Sequence, residues 1–229
     1  MFLRNLIELF FPRTCCVCGD PLVGTEEQIC TKCLYDIPYV HTAENENNYV
    51  EKRLVGRIPI QHATSLLVFK QDNKVQRILH SIKYKGNEEL ALIMGRQLGE
   101  HLLKCGCYDS VDMLVPVPLH PRKERRRGYN QSLLISKGIA QVTHLPIISD
   151  NLVRTQYTDS QTRKNRVERF ENMKDVFHVN NPSLFENKHI LLVDDVITTG
   201  ATTEGCWKAM SSVPGIKISV ASLSVAGNY

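Results

Sequence analysis

Asn187-Lys-His-Ile-Leu-Leu-Val-Asp-Asp-Val-Ile-Thr-Thr-Gly-Ala-Thr-Thr203 decides how the rest of the chain is read. Its apolar run, Ile190 to Val193, is rich in branched side chains, the pattern of a strand buried on both faces of a parallel sheet. Asp194 and Asp195 follow where such a strand would end, and ligands of open α/β sheets sit outside the carboxyl ends of the strands. Thr198, Thr199, Gly200, Ala201 and Thr202 then form a small-residue loop leading into a helical segment. Free backbone N–H groups and the positive end of the helix dipole make such a junction an anion site. Gly200 lets the backbone come close to the anion, and the threonine hydroxyls add donors. Carboxylates accept hydrogen bonds from hydroxyls but repel phosphate. Acid pair first and phosphate cradle next therefore fit a ligand with hydroxyls at one end and phosphate at the other, such as a ribose 5-phosphate. A nucleotide P-loop is disfavoured. Gly200 and Gly205 have its glycine spacing, but Cys206-Trp207 follows where Lys and then Ser or Thr are needed. The bland alternative is a buried strand followed by an ordinary turn.

Val193 to Thr202 resembles the phosphoribosyl-pyrophosphate (PRPP) binding motif of type I phosphoribosyltransferases. That resemblance implies that the two acids hold the ribose hydroxyls and the loop holds the 5-phosphate.

The chain has 229 residues, 42% hydrophobic and 23% charged, with a formal net charge of +4. This is an ordinary composition for a soluble globular protein, of a length for one medium domain with a small attachment. The mild positive charge permits an acidic ligand without requiring one. No apolar run approaches the roughly 20 residues of a membrane span. Leu3 to Phe11 is apolar, but Arg4, Asn5 and Glu8 interrupt it and no small-residue cleavage site follows. It reads as a short amphipathic helix rather than a signal peptide, and the expected location is cytoplasmic.

Among eight cysteines, Cys15-x-x-Cys18 and Cys30-x-x-Cys33 form two close pairs. Four thiolates so arranged can close a tetrahedral Zn²⁺ site, and a segment this small needs such a staple. A disulfide framework is the alternative, but the lack of a signal peptide and the cluster Cys15-Cys16-Cys18 argue against it. Cys16 could replace Cys15 only at the poorer Cys-x-Cys spacing. Cys105, Cys107 and Cys206 read as reduced bystanders. The polar stretch His41 to Tyr49 reads as a linker or exposed loop. The expected division is residues 1–48 (amphipathic helix, zinc-ribbon-like module, linker) and residues 49–229 (the larger domain).

Within the larger domain, Thr64 to Phe69 reads as a strand, and Val75, Ile78, Leu79 and Ile82 follow helical spacing. That helix ends at Lys83-Tyr84-Lys85-Gly86, with Gly86 as the cap. The two lysines are either a favourable helix-end charge or ligand contacts. Leu90 to Leu103 is a second helix. Met113 to Val117 is a short strand that Pro116 and Pro118 place near a sheet edge. A basic loop follows, in which Arg122, Lys123, Arg125, Arg126 and Arg127 stand against Glu124. Charge runs are usually solvated, but arginine is well shaped for phosphate, and a loop leaving the end of a strand can face the same edge as the acid pair. A helix over Ser132 to Val142 and a strand over Ile147 to Val153 are expected next. Thr155 to Lys174 is polar and basic and long enough for a lid. Strand Val176 to Val179 precedes the organising strand, and a helix from Thr203 to about Met210 and a strand from Ile218 to Val225 end the chain. Trp207 reads as core packing.

Taken together, these segments resemble the ComF/GntX family, which joins an N-terminal zinc finger to a type I phosphoribosyltransferase domain. The matching pieces are the cysteine pairs, Ile82-Lys-Tyr-Lys-Gly86, Val115-Pro-Val-Pro-Leu-His120, Arg127-Gly-Tyr-Asn-Gln131, Gln161 with Arg169-x-x-Asn172, and Asp194 to Thr202. The resemblance implies an α/β fold with a central parallel sheet flanked by helices, and a role linked to uptake of single-stranded DNA in natural transformation. One position departs from purine-type phosphoribosyltransferases. Thr198 stands where they usually carry an Asp that acts as a base, so the motif is closer to the orotate or pyrimidine type.

Two functions are expected from this reading. One is an enzyme that binds PRPP with Mg²⁺, with Asp194 and Asp195 on the ribose, Thr198 to Thr202 on the 5-phosphate, and Arg122, Arg125, Arg127, Lys83 and Lys85 on the departing pyrophosphate. The other is a non-catalytic module gripping single-stranded DNA on Arg122 to Arg127 and Arg163 to Arg169, with Tyr129 or Tyr157 as stacking platforms and competence-machinery proteins as partners.

Overall fold

The structure is a computed structural model that describes residues 12–40, 49–70, 74–106, 108–155 and 176–227. Four strands lie in the order β1 (Ala63–Phe69), β6 (Lys217–Ala226), β5 (His189–Ile197) and β2 (Met113–Pro116), and every neighbouring pair is parallel. Ile190 to Val193 are fully buried in the middle of this sheet. Their alternation sends Leu191 and Val193 into one core cluster and Ile190 and Leu192 into the other. A strand that must be apolar at every position is what burial on both faces requires.

On one face pack α3 (Lys74–Tyr84), α4 (Glu88–Cys105) and α6 (Gln131–Thr143). Gly95 of α4 and Gly138 of α6 let the two backbones touch: a Cβ at Gly138 would lie 2.3 Å from the Leu92 carbonyl oxygen, and one at Gly95 2.3 Å from that of Ile135. The other face carries α2 (Tyr49–Leu54), α7 (Ala201–Met210) and the antiparallel pair β3 (Leu152–Arg154) and β4 (Phe177–Val179).

The N-terminal cysteine module, with α1 (Thr31–Tyr35), is built onto this body. Cys15, Val17, Ile29, Cys30, Cys33 and Ile37 share the core cluster of α3 and α4. Its exit segment then runs antiparallel along the outer edge of β1, where Val40 N–H donates to the Leu66 carbonyl and Val68 N–H to that of Pro38, both at 2.9 Å.

Three expectations change. The basic stretch after β2 is not a loop but a short helix, α5 (Pro121–Arg127). His120 caps it by accepting the Arg122 N–H, Pro121 sits in its first turn, and Gly128 ends it at φ 87°, the asymmetry expected of helix ends. The organising strand does not stop at Val193. It runs through both acids to Ile197 because β6 keeps pairing with it, Asp194 opposite Ser222 and Val196 opposite Ser224. The strand expected over Ile147 to Val153 divides: Ile147 bridges Leu114 beside β2, and after the turn-forming Ser149-Asp150-Asn151 the chain joins β4 instead. The expected helix over Leu3 to Phe11, residues 41–48 of the linker, Cys107, and residues 156–174 of the basic segment, with Tyr157, Gln161, Arg163, Arg166, Arg169 and Asn172, lie outside the described residues. No helix among the described residues is long and apolar enough to cross a membrane.

Candidate functional site

The acid pair sits near the carboxyl end of β5, with its two members in different settings. Asp194 is buried, and its Oδ1 accepts from the Asp195 N–H at 2.8 Å and the Ser132 hydroxyl at 3.4 Å. Burial first, and then the Asp195 charge, push its pKa up to about 7 against the pull of Lys83 and those two donors. Asp195 is partly buried and meets the Lys83 ammonium at 2.9 Å. The end of α3 thus delivers one lysine of the Lys83-Tyr84-Lys85 motif to the acids. Lys85 goes elsewhere: with Cys16, Arg77 and His80 it lines a cavity of about 560 Å³ between α3 and the cysteine module. Arg154, over the Phe177 ring at 5.4 Å, adds a cation whose field reaches Asp194.

A carboxyl whose folded pKa lies above its unfolded value binds a proton in the folded state first. Asp194 therefore lowers stability progressively as pH rises from about 4 to about 7. Asp194→Asn, which keeps an oxygen for both donors, is expected to raise the melting temperature at pH 8 and to lose that advantage at pH 4. Thermal melts at the two pH values check this, and an advantage that does not change with pH would contradict it.

The Thr198–Thr202 loop turns at Gly200, at φ 77°, into α7. A Cβ there would lie 2.7 Å from Leu54 Cδ2, so α2 is pressed against the back of the loop. From α2 and the turn after it, Arg53 donates to the Thr198 carbonyl and Arg57 to the Thr199 carbonyl. Arg57 also pairs with Glu204 at 2.5 Å, and Lys208 meets the same carboxylate at 2.9 Å. The Lys208 hydrogen bond first, and then that of Arg57, hold Glu204 below its ordinary pKa against some desolvation.

Arg127-Gly-Tyr-Asn-Gln131 is the joint between α5, α6 and α3. Asn130 caps α6 by accepting the Ser132 N–H at 3.0 Å and donates to the Val117 carbonyl at 3.1 Å, which fixes Ser132 beside Asp194. The Tyr129 hydroxyl donates to the Ile82 carbonyl, and Arg127 lies over the Tyr84 ring at 5.5 Å while bonding Gln131 at 2.7 Å. Arg127 is thereby tied to the end of α3. Arg122 and Arg125 stand on α5, where no side chain is buried, and the structure does not bring them into an ion pair with Asp194 or Asp195 among the described residues.

The sulfurs of Cys15, Cys18, Cys30 and Cys33 all lie within 4.8 Å of one another, with Cys18 and Cys30 at 3.7 Å. A tetrahedral zinc with bonds of about 2.3 Å needs sulfurs about 3.8 Å apart, so the cluster could bind zinc. Cys15 is the member and Cys16 is not. Burial raises the Cys15 thiol, but backbone N–H donors from Cys18, Cys30 and Val17 outweigh it and bring the pKa down to about 7. Burial pushes Cys16 the other way, up to about 12. Arg77 closes the module onto α3 through the Val17 carbonyl at 2.7 Å, and with Lys85 it offsets the negative charge that four thiolates would carry.

Sequence reasoning missed Arg53 and Arg57, one in a helix too short to show a period and the other in the turn that follows it. It also missed Ser132 as a partner of Asp194, a contact between residues 62 apart.

No protein-family model matches the chain. Among curated proteins, it is 31% identical over 128 residues to DNA utilization protein YhgH of Escherichia coli (strain K12), covering 55% of this chain and 56% of that protein. The protein of the same name from Salmonella typhimurium aligns over 214 residues at 27% identity, 85% of this chain and 88% of that one. Competence protein F of Haemophilus influenzae is 34% identical over 92 residues, 40% of each chain. Among solved structures, glutamine phosphoribosylpyrophosphate (PRPP) amidotransferase from B. subtilis aligns with a TM-score of 0.43 at 15% identity, over 63% of this chain and 30% of that one. At that score, the reading of the fold rests on the sheet order itself.

Proposed function

We propose, from the premise that this chain is a homologue of the DNA utilization and competence proteins, that it binds PRPP or a related phosphoribosyl ligand and acts in DNA utilisation. One observation carries the reading: an acid pair and a phosphate-type loop follow one another along the same strand end, with the Lys83 ammonium 2.9 Å from Asp195. Asp194 and Asp195 accept the ribose hydroxyls, and the N–H groups of the 198–202 loop receive the 5-phosphate. Lys83, with Arg127 and the rest of α5, meets the pyrophosphate. The carboxylates fit Mg²⁺ as partial ligands only. Among the described residues no third acid or histidine joins them in a metal-binding group, so phosphate oxygens and water would have to supply the remaining ligands, as is usual for this ion. Mg²⁺ supplies charge neutralisation on the phosphates. Transfer breaks the bond from ribose C1 to the pyrophosphate oxygen and forms one from C1 to a nitrogen of the acceptor. The acceptor proton passes to solvent, since Thr198 offers no carboxylate. The four cysteines hold a structural zinc, the division at residues 48 and 49 separates that module from the ligand domain, and the setting is the cytoplasm.

Calorimetry with PRPP and Mg²⁺ tests the binding. Wild type is expected to bind, and Asp194→Asn with Asp195→Asn to lose at least on the order of tenfold in affinity, one good charged hydrogen bond. Absence of binding, or equal binding by the double variant, rules the reading out.

A second reading, single-stranded DNA on α5, is favoured by that basic helix having no buried residue and by the exposure of Arg122, Arg125 and Arg126. It predicts an affinity falling with salt at a log–log slope of about −0.7 per neutralised phosphate, and weakened in the Arg125, Arg126 and Arg127 triple-Ala variant. A flat salt response excludes it. Tyr129, with its hydroxyl committed to Ile82, is a poorer platform than Tyr84, which is 63% exposed.

A further inference from the structure

We infer that Arg53 and Arg57 are positioning residues for the ligand phosphate, acting from behind the loop that receives it. The inference rests on the phosphoribosyl reading above and adds to it two residues that do not touch the ligand.

A trans peptide carries its C=O and the next N–H on opposite sides. Arg53 takes the Thr198 carbonyl, so the Thr199 N–H of the same peptide is turned away from α2. Arg57 takes the Thr199 carbonyl and turns the Gly200 N–H likewise. Two consecutive donors are thereby aimed out of the back of the loop, toward the side left open by α2. Each is also polarised, because a carbonyl that accepts from a cation makes its own N–H a stronger donor. Gly200 is the one residue at this turn whose lack of a side chain lets α2 come close enough: a Cβ would strike Leu54, itself 1% exposed.

Charge supports the same conclusion. Glu204 sits in the first turn of α7, where a carboxylate competes with any anion for the helix end. Arg57 at 2.5 Å and Lys208 at 2.9 Å bracket it. The acid is neutralised in place and serves to hold Arg57 flat against the Thr199 carbonyl. The series Lys208, Glu204, Arg57, Thr199 C=O, Gly200 N–H thus ends on the ligand side of the loop with a donor of fixed direction. Preorganised donors of this kind lose little entropy when the anion arrives.

Ribose 5-phosphate, which carries the relevant end of the ligand without the pyrophosphate, is the probe. Titrated into the zinc-loaded full chain, it is expected to bind wild type and to shift the Thr199 and Gly200 amide resonances in nitrogen–proton spectra. Arg57→Gln and Arg53→Gln are each expected to weaken it on the order of tenfold, the share of one hydrogen bond to a charged group, and to reduce those two amide shifts. Arg57→Lys keeps the charge but not the planar fork, and is expected to fall between wild type and Arg57→Gln. Melting temperatures taken alongside identify any variant that has merely lost its fold. If wild type binds and both Gln variants bind equally well, the inference fails and the phosphoribosyl reading stands. It fails also if affinity drops while the amide shifts persist, since the arginines then act only as distant charge. If wild type does not bind ribose 5-phosphate, both fail.

Discussion

Cys33→Ser is expected to leave the protein without its metal and to unfold the N-terminal module. Cys33 is 2% exposed, in the middle of the cluster shared by Ile29, Ile37 and the apolar faces of α3 and α4. Burial first, and then the neighbouring Cys18 and Cys30 thiols, raise its pKa, so a metal cation is what would favour its thiolate. Structural zinc is worth about 10–16 kcal/mol in zinc-finger peptides, and that binding energy is folding energy. A serine in this position removes one of four ligands and leaves a hydroxyl in an apolar site. Metal analysis is expected to give about one zinc per wild-type chain and much less in the variant, and the melting temperature to fall by roughly 10 °C or more. A wild type purified without chelators that contains no zinc, or a variant that melts with it, would defeat the assignment.

Gly138→Ala is expected to be the most damaging of the conservative substitutions in the larger domain. The added methyl would lie 2.3 Å from the Leu92 carbonyl oxygen, 2.8 Å from the Arg96 nitrogen and 2.8 Å from Gly95 Cα. These are backbone atoms of a neighbouring helix, so no side-chain rotation relieves the overlap, and α4 and α6 must separate along their whole contact. Overpacking of this kind costs about 1–3 kcal/mol and sometimes more, against about 1 kcal/mol gained from the better helix propensity of alanine. With backbone atoms on every side of the methyl the cost falls at the upper end, and a net loss of about 2 kcal/mol is expected in urea denaturation. Because α6 also carries Ser132 to Asp194, the same shift is expected to weaken ligand binding in chains that remain folded. Unchanged stability would mean the two helices are not in contact as described.

The strand at 190–193 was readable because burial on both faces demands apolar residues at every position, and few other elements do. The cysteine module was readable for a similar reason, since metal ligation constrains residue type and spacing together. Where β5 ends was not readable. Aspartates are poor strand formers, and only the length of β6, 22 residues further on, keeps Asp194 and Asp195 in the ladder. The helix over Pro121 to Arg127 had its signals in view, His120, Pro121 and Gly128, but the run of charge drew the reading toward a loop. The placement of the acid pair near the basic end of α3 could be guessed from topology. The bond from Lys83 to Asp195 could not, because a lysine at a helix end satisfies the dipole whether or not an acid lies across from it. The guanidiniums of Arg53 and Arg57 met no rule at all in the sequence, since carbonyl acceptors leave no trace in residue identity.

The segment at residues 38–40 has a consequence for how the molecule fails. By lying along the outside of β1 it occupies backbone groups that a second chain would otherwise find; at the opposite side of the sheet, Pro146 and Ile148 do the same for Leu114. Only the first of these stoppers is held in place by sulfur chemistry. An oxidant acting on the cysteines, or a chelator removing the zinc proposed for them, would therefore uncover a seven-residue buried strand, an open template for chain-to-chain pairing. On the zinc proposal, metal starvation is then a solubility problem first: molecules are withdrawn into aggregates while the acid pair near the carboxyl end of β5 is still in place.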